Sequence, residues 1–262
     1  MPGPSVLPTP SALEAMVRKL QQWRPLDADD QAALRALPHR LIKFRPHEYI
    51  VREGDTLQTA CLMISGFSFR HKVAGNGGRQ IFSIHMEGDL AGLQNALLGT
   101  ADHNLQAMDH VEVAMIPVEA IQDIAFTRPA VGRAMWHETL VDGSIFREWT
   151  LNVGRRDART RAAHMLCEFA LRLEAAGLGE RCNYELPMTQ EQLADALGLT
   201  SVHTNRTLMG LGRDGLIARH QRAVQIVDWP GLIKVGDFDP AYLHLGESAR
   251  RGAKHQPVDK PE

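Results

Sequence analysis

Apolar and polar positions change rhythm twice along this chain. Residues 13–37 carry apolar side chains at helical spacing, interrupted by Pro25 and followed by Pro38, which predicts short helices. From residue 41 to residue 117 the pattern is that of strands. Segments 49–51, 60–64, 67–73, 80–84 and 111–116 are rich in β-branched and aromatic residues. Turns separate them at Glu53-Gly54-Asp55, Ser65-Gly66, Gly75-Asn76-Gly77-Gly78 and Glu87-Gly88-Asp89. Short strands recurring about every ten residues between glycine turns predict a β-sandwich or jelly roll. Over residues 118–151 the rhythm is helical. Pro129 suits the first position of a long helix carrying Val131, Met135, Leu140, Val141, Ile145 and Trp149. That apolar stripe needs a cover, either the sandwich or a second copy of the same helix. Gly154 breaks the pattern. Asp157 is placed to cap a further helix over 158–175 that ends at Gly177 and holds Cys167 as a small buried side chain.

Residues 186–227 carry the most specific pattern. Thr189 followed by Gln192 is a capping box. A helix over 190–197 puts Leu193, Ala194 and Leu197 on one face, Gly198 stops it, and a second helix runs from about residue 201 to residue 211. This is helix-turn-helix spacing, with a small residue where the helices approach and a glycine at the tight turn. Arg213-Asp214-Gly215 then reads as a turn. Segments 216–219 and 224–227 can pair as a hairpin with Arg219, His220 and Arg222 near its tip, which completes a winged helix-turn-helix. The plainer alternative is a two-helix hairpin with a β-ribbon. The second helix offers Ser201, His203, Asn205 and Arg206 to solvent, hydrogen-bonding side chains without a carboxylate, as a surface approaching phosphates requires. Arginine can pair with guanine and asparagine with adenine. Thr189, Gln190 and Thr200 lie near helix starts, where phosphates can be held.

Composition narrows the classes. The 262 residues are 44% hydrophobic and 23% charged, enough for a core and for one to two domains. Twenty-nine basic and 31 acidic side chains give a net charge of -2, which excludes a polybasic protein but not one basic patch. Locally the balance is basic. Residues 155–161 hold Arg155, Arg156, Arg159 and Arg161 against Asp157, and residues 201–227 hold Arg206, Arg213, Arg219 and Arg222 against Asp214. Cys61, Cys167 and Cys182 are too few for a disulfide framework and form no C-x-x-C pair, which fits a reducing, cytoplasmic compartment. Without an apolar run of about 18 residues no membrane span is expected. Residues 1–12 read as a Pro-rich disordered tail, not a signal peptide. No nucleophile triad, metal-ligand spacing or phosphate loop points to an enzyme, and Asp102-His103 reads as a solvated loop pair.

The motifs R-E-G-D at 52–55, I-S-G at 64–66, G-D-L-A-G at 88–92, E-V-A at 112–114 and T-Q-E-Q-L-A-D-A-L-G-L-T from Thr189 occur in an order that resembles the Crp/Fnr family of bacterial transcription regulators. The resemblance covers about residues 34–227. Within the family it is nearest to an alphaproteobacterial branch without an assigned effector, which residues 235–245 also resemble. It implies an α+β chain with a cyclic-nucleotide-binding-like β jelly roll (13–125), a dimerisation helix and hinge (126–156), a winged helix-turn-helix domain (157–235) and a C-terminal tail (236–262). It further implies a homodimer joined through the 129–151 helix that reads a near-palindromic operator on double-stranded DNA, with RNA polymerase as a further candidate partner. Arg206 matches the family arginine that contacts guanine, and Asn205 a variable specificity position. Val202 stands where many members have a Glu that accepts from cytosine, and Thr204 where the helix interior usually has Val. Together with Thr189, Gln190, Thr200, Ser201 and His203 these are the expected DNA-contacting residues.

The sensory half departs further from the family. Gly88, Asp89, Leu90, Gly92, Leu93 and His103 mark a degenerate effector pocket. Leu93 replaces the Glu that cyclic-AMP-binding members use, and loop 99–104 lacks their Arg, so a phosphodiester would lack charge-assisted partners. Three scattered cysteines cannot supply the four thiolates of an iron–sulfur cluster. His71, His85, His103, His110, Met86 and Met108 are haem ligands by residue type only, and Cys61 reads as a buried thiol. No resident cofactor and no metal are expected, leaving an unidentified small effector or control by abundance. The alternative to a DNA reader is a small-molecule-binding module whose helix-turn-helix contacts protein, as a silent anti-activator.

Overall fold

Two helices, α1 (Glu14–Trp23) and α2 (Ala28–Arg35), open the computed structural model, which describes residues 11–245. Pro25 parts them, and the Asp27 carboxylate caps α2 by accepting from the Asp30 N–H at 2.8 Å. The expected tail at residues 1–10 lies outside the described residues. Strands β1 (Arg40–Phe44), β2 (Tyr49–Val51), β3 (Thr59–Ser65), β4 (Ser68–Val73), β5 (Arg79–His85) and β6 (Leu90–Ala91) follow. After a short helix α3 (Asn95–Leu98) come β7 (Asn104–Ala107) and β8 (Val111–Pro117). They form two antiparallel sheets, ordered β1-β8-β3-β6 and β2-β7-β4-β5. This is the expected jelly roll. Strands β1, β6 and β7 had no strong pattern of their own.

The roll's interior is filled by Val51, Cys61, Met63, Leu105, Val111 and Val113. Burial pushes the Cys61 thiol up to about 12, so it stays protonated and apolar. At the β3–β4 turn Gly66 has φ +76, and a Cβ there would sit 2.4 Å from the His110 carbonyl oxygen, so only glycine fits.

Helix α4 (Val118–Thr127) leads into α5 (Pro129–Arg155), which starts on its proline. The stripe on α5 is covered by its own chain. Val131 and Met135 pack with Leu13, Met16, Leu34 and Ile121. Val141, Ile145 and Trp149 pack with Phe69, Ile81 and Ile84 of the roll and with Leu166 and Phe169 of α6 (Ala158–Ala176). Leu140 does not belong to this stripe. It lies four residues after Trp136 on another face, and the two are 57% and 67% exposed.

Helix α6 is capped as expected. Asp157 accepts from the Thr160 N–H at 2.8 Å, and Gly177 closes the helix at φ +72. Beyond it lie β9 (Asn183–Glu185), α7 (Gln190–Leu197), α8 (Ser201–Arg213), β10 (Ile217–His220), β11 (Ala223–Ile226) and α9 (Trp229–Val235). Arg213, expected in a turn, is the last residue of α8. Strands β10, β11 and β9 form one sheet, the wing.

Residues 236–245 are not a free tail; the rest of the expected tail, 246–262, lies outside the described residues. Gly236 passes so close to α6 that a Cβ would meet the His164 nitrogen at 2.8 Å. Phe238 and Leu243 are buried. The Tyr242 hydroxyl donates to Glu168 at 2.7 Å and lies 3.0 Å from His164 Nε2. The segment is a strap, because its apolar and aromatic residues complete the surface left between α5 and α6. A single apolar core thus runs from Phe69 and Ile81 of the roll to Leu197, Leu208 and Ile226 of the winged domain. Among the described residues no helix is long and apolar enough to cross a membrane.

Candidate nucleic-acid interface

The helix-turn-helix is fixed by its local chemistry. Thr189 Oγ1 accepts from the Gln192 N–H at 3.2 Å, and Gln192 Oε1 accepts from the Thr189 N–H at 2.8 Å. Gly198 takes φ +63 and ends α7. Thr200 Oγ1 then accepts from the His203 N–H at 3.2 Å and starts α8. Thr204, Leu208 and Leu211 bury the inner face of α8. Thr204 replaces the usual apolar side chain at full burial, and its hydroxyl has no partner among the described residues. Arg161 donates to the Leu197 carbonyl at 2.9 Å and locks α7 to α6.

The structure brings the expected DNA-contacting residues onto one side in part. Val202, Asn205 and Arg206 are exposed on the outer face of α8, while Ser201 and His203 are half-buried at its start. Thr189 and Gln190 stand half-buried at the start of α7, and Gln190 Nε2 donates to the Ser201 carbonyl at 3.5 Å. Thr200 is exposed between the helices. One residue, Met209, was missed, and Arg219, expected near the tip of the wing hairpin, lines a cleft with it. Met209 extends the exposed face, seven residues after Val202, and the same spacing rule would have found it. Arg219 of the wing is half-buried over a cleft of ≈ 400 Å³ lined also by Asn205, Met209 and Gln221. Its Nη2 donates to the Gln221 carbonyl at 3.3 Å, and its buried Nε has no partner among the described residues. Only the hairpin pairing, Arg219 opposite Val224, sets this position.

Arg156, Arg159 and Arg161 do not form the basic patch expected from their count, while Arg155 is exposed. Arg156 pairs with Glu148 at 2.7 Å and Asp237 at 3.1 Å, Arg159 pairs with Asp214 at 2.6 Å, and Arg161 serves backbone carbonyls. These are joints between α5, α6, α8 and the strap.

In the roll, the degenerate-pocket residues are engaged elsewhere. Asp89 is buried, pairs with Lys19, accepts from the Met86 N–H at 3.1 Å and lies 3.6 Å from both Arg172 and His85. Burial alone would raise its pKa, but Lys19, His85 and Arg172 outweigh that and hold the carboxyl well below the usual carboxylate range. Lys19 also reaches Glu138 at 2.8 Å, so Asp89 ties α1, α5 and α6 together. Gly88 and Gly92 take positive φ at the turns flanking β6, Leu90 is buried in the core and Leu93 is half-buried. His103 is buried and not solvated, with Nδ1 2.5 Å from Asp102. The buried cation of β4, Arg70, is held by Asp142 of α5 at 2.5 Å. Among the described residues no unpaired cation faces the G-D-L-A-G loop, so these residues do not fit a cyclic phosphodiester. Among the described residues no three His, Cys, Asp or Glu side chains are grouped to hold a metal ion.

Comparison with known proteins agrees with this architecture. Residues 41–128 match the cyclic nucleotide-binding domain, and residues 160–235 match the Crp-like helix-turn-helix domain. The chain is 26% identical over 217 residues to the transcriptional activator protein FnrL of Cereibacter sphaeroides, covering 81% of this chain and 86% of that one. It is 28% identical over 201 residues to the nitrogen fixation regulation protein FixK of Bradyrhizobium diazoefficiens, covering 76% and 84%. The solved structure of FixK2 from Bradyrhizobium japonicum superposes with a TM-score of 0.70 at 24% identity, covering 76% of this chain and 98% of that one. With a jelly roll, a long connecting helix and a winged helix-turn-helix in this order, the chain belongs to the Crp/Fnr family of DNA-binding transcription regulators.

Proposed function

We propose that the protein acts in the cytoplasm as a homodimer that reads a near-palindromic operator, with α8 in the major groove. The observation that carries this reading is the second face of α5. Its inner stripe is already buried in its own chain, yet Trp136, Leu140 and Leu151 remain exposed at spacings of four and eleven residues along a 27-residue helix. A parallel second helix covers such a row by coiled-coil packing. That pairing sets the two reading helices about one DNA turn, roughly 34 Å, apart. Arg206 and Asn205 read bases. Thr189, Gln190, Thr200, Ser201 and His203, grouped near the starts of α7 and α8, hold phosphates or adjacent base edges. Residues 13–125 act as the sensing or scaffolding unit, 126–156 as dimer helix and hinge, and 157–235 as the reading head. The exposed surface of the dimer on DNA is then open to RNA polymerase.

The test is selection of bound DNA from a random pool, with and without cell extract, followed by Arg206→Ala. The expected outcome is a palindromic site, with a loss on the order of 1–3 kcal/mol and relaxed choice at one base pair in the variant. Equal affinity and selectivity in the variant would refute the assignment. A salt titration whose log–log slope is near zero would favour the protein-contact reading instead.

A further inference from the structure

Asn205, Arg206 and Met209 lie three, four and seven residues after Val202 and so share one face of α8 with it. All four are exposed, including the two apolar ends of the row, Val202 at 79% and Met209 at 61%. The helix buries Thr204, Leu208 and Leu211 on its other side, so this row adds nothing to the chain's own core. A β-branched residue is also a poor choice for an exposed first turn. The first turn of α8 carries no acidic residue, and Arg206 lies directly above Val202. A positively charged, carboxylate-free face with apolar ends matches the major groove of DNA. That groove lines phosphates along its rim and presents one apolar group on its floor, the 5-methyl of thymine.

We infer that Val202 is a specificity-determining residue that packs against a thymine 5-methyl group in each operator half-site, and that Met209 extends this apolar contact along the same face. The inference rests on α8 being the reading helix. A carboxylate at this position can accept from the cytosine amino group, whereas an isopropyl group gains only from apolar contact. Four residues, about 6 Å of helix rise, separate Val202 from Arg206 and span roughly two steps of 3.4 Å along a strand. The thymine therefore lies within about two base pairs of the guanine that Arg206 takes.

The experiment uses the full-length protein and its selected operator, with deoxyuridine, which lacks the methyl group, replacing thymine one position at a time. One symmetric thymine position should lose about fourfold in affinity per half-site, the worth of roughly one buried methyl. Val202→Ala should abolish that sensitivity while keeping the dependence on guanine, and Val202→Glu should shift the selected base from thymine to cytosine. Because Val202 is so exposed, both variants should unfold at the wild-type temperature. Wild-type binding indifferent to deoxyuridine at every position overturns the inference, as does a Val202→Ala variant that keeps the sensitivity. Failure to select any operator is a separate result, and it overturns the reading of α8 on which the inference rests.

Discussion

Arg79, on the second strand of the β4–β5 hairpin, donates from its Nε to the Asp195 carboxylate on the first helix of the helix-turn-helix at 2.6 Å. The two residues are 116 positions apart. Beside them the Gln80 amide donates to the Ala196 carbonyl at 3.3 Å. The roll thus grips the reading head at α7.

A double-mutant cycle on Arg79→Ala and Asp195→Ala should therefore show coupling of about 1 kcal/mol in urea unfolding, the upper part of the range for a partly exposed pair. Hydrogen exchange over 190–197 should quicken in either single variant. Strict additivity of the two substitutions would mean that the pair carries no coupling.

The two faces of α5 should separate in mutagenesis. Leu140→Asp alters an exposed position, so the monomer fold should persist while sedimentation shows dissociation and operator binding is lost. Val141→Ala removes buried volume and should cost about 1–3 kcal/mol of stability with the dimer retained. A Leu140→Asp variant that stays dimeric would place the seam elsewhere.

The strap should contribute measurably through a single hydroxyl. Tyr242→Phe removes a hydrogen bond to the buried Glu168 carboxylate, which then keeps Trp149 Nε1 at 3.0 Å and Arg172 at 3.3 Å. A loss of about 2 kcal/mol is expected, as for a hydrogen bond to a charged group. Proteolysis within 237–245 should speed up in the same variant. An unchanged urea midpoint would show that the strap's polar contacts are neutral.

Acid should weaken the fold before the carboxylates titrate. Burial, reinforced by Arg70, depresses His85 from 6.5 to about 4; burial and Arg79 do the same to His71. Below pH 6.5 the unfolded chain binds protons at these rings that the folded chain refuses. Stability owed to them is therefore complete above pH 6.5 and is lost as pH falls from 6.5 toward about 4. Urea midpoints measured from pH 7.5 downward should trace this loss, and His85→Gln should flatten the slope whatever it does to the midpoint. A midpoint constant down to pH 5 would contradict it.

Much of this architecture is legible in the sequence. The capping box at Thr189, the stop at Gly198, the cap at Asp157 and the glycine turns of the roll are local events, set by side chains within a few residues of the backbone groups they serve. Period-2 and period-3.6 patterns fixed the element types for the same reason. The row on α8 was half legible. Asn205 and Arg206 announce a polar face and spacing puts Met209 on it, but only the packing of Thr204, Leu208 and Leu211 on the other side shows that Met209 is exposed.

The sequence by itself therefore determined the order of elements, the helix-turn-helix and the candidate contacts of Arg206 and Asn205. Only the tertiary structure decided which apolar stripe of α5 is covered by its own chain, that Arg156, Arg159 and Arg161 are joints, that Asp89 is engaged internally, that His103 is buried against Phe82, and that residues 236–245 are a strap. Each of these depends on contacts between residues far apart in the chain, such as Lys19 with Asp89 or Tyr242 with Glu168. A charge or an apolar stripe states what it needs, but only packing determines which distant surface supplies it.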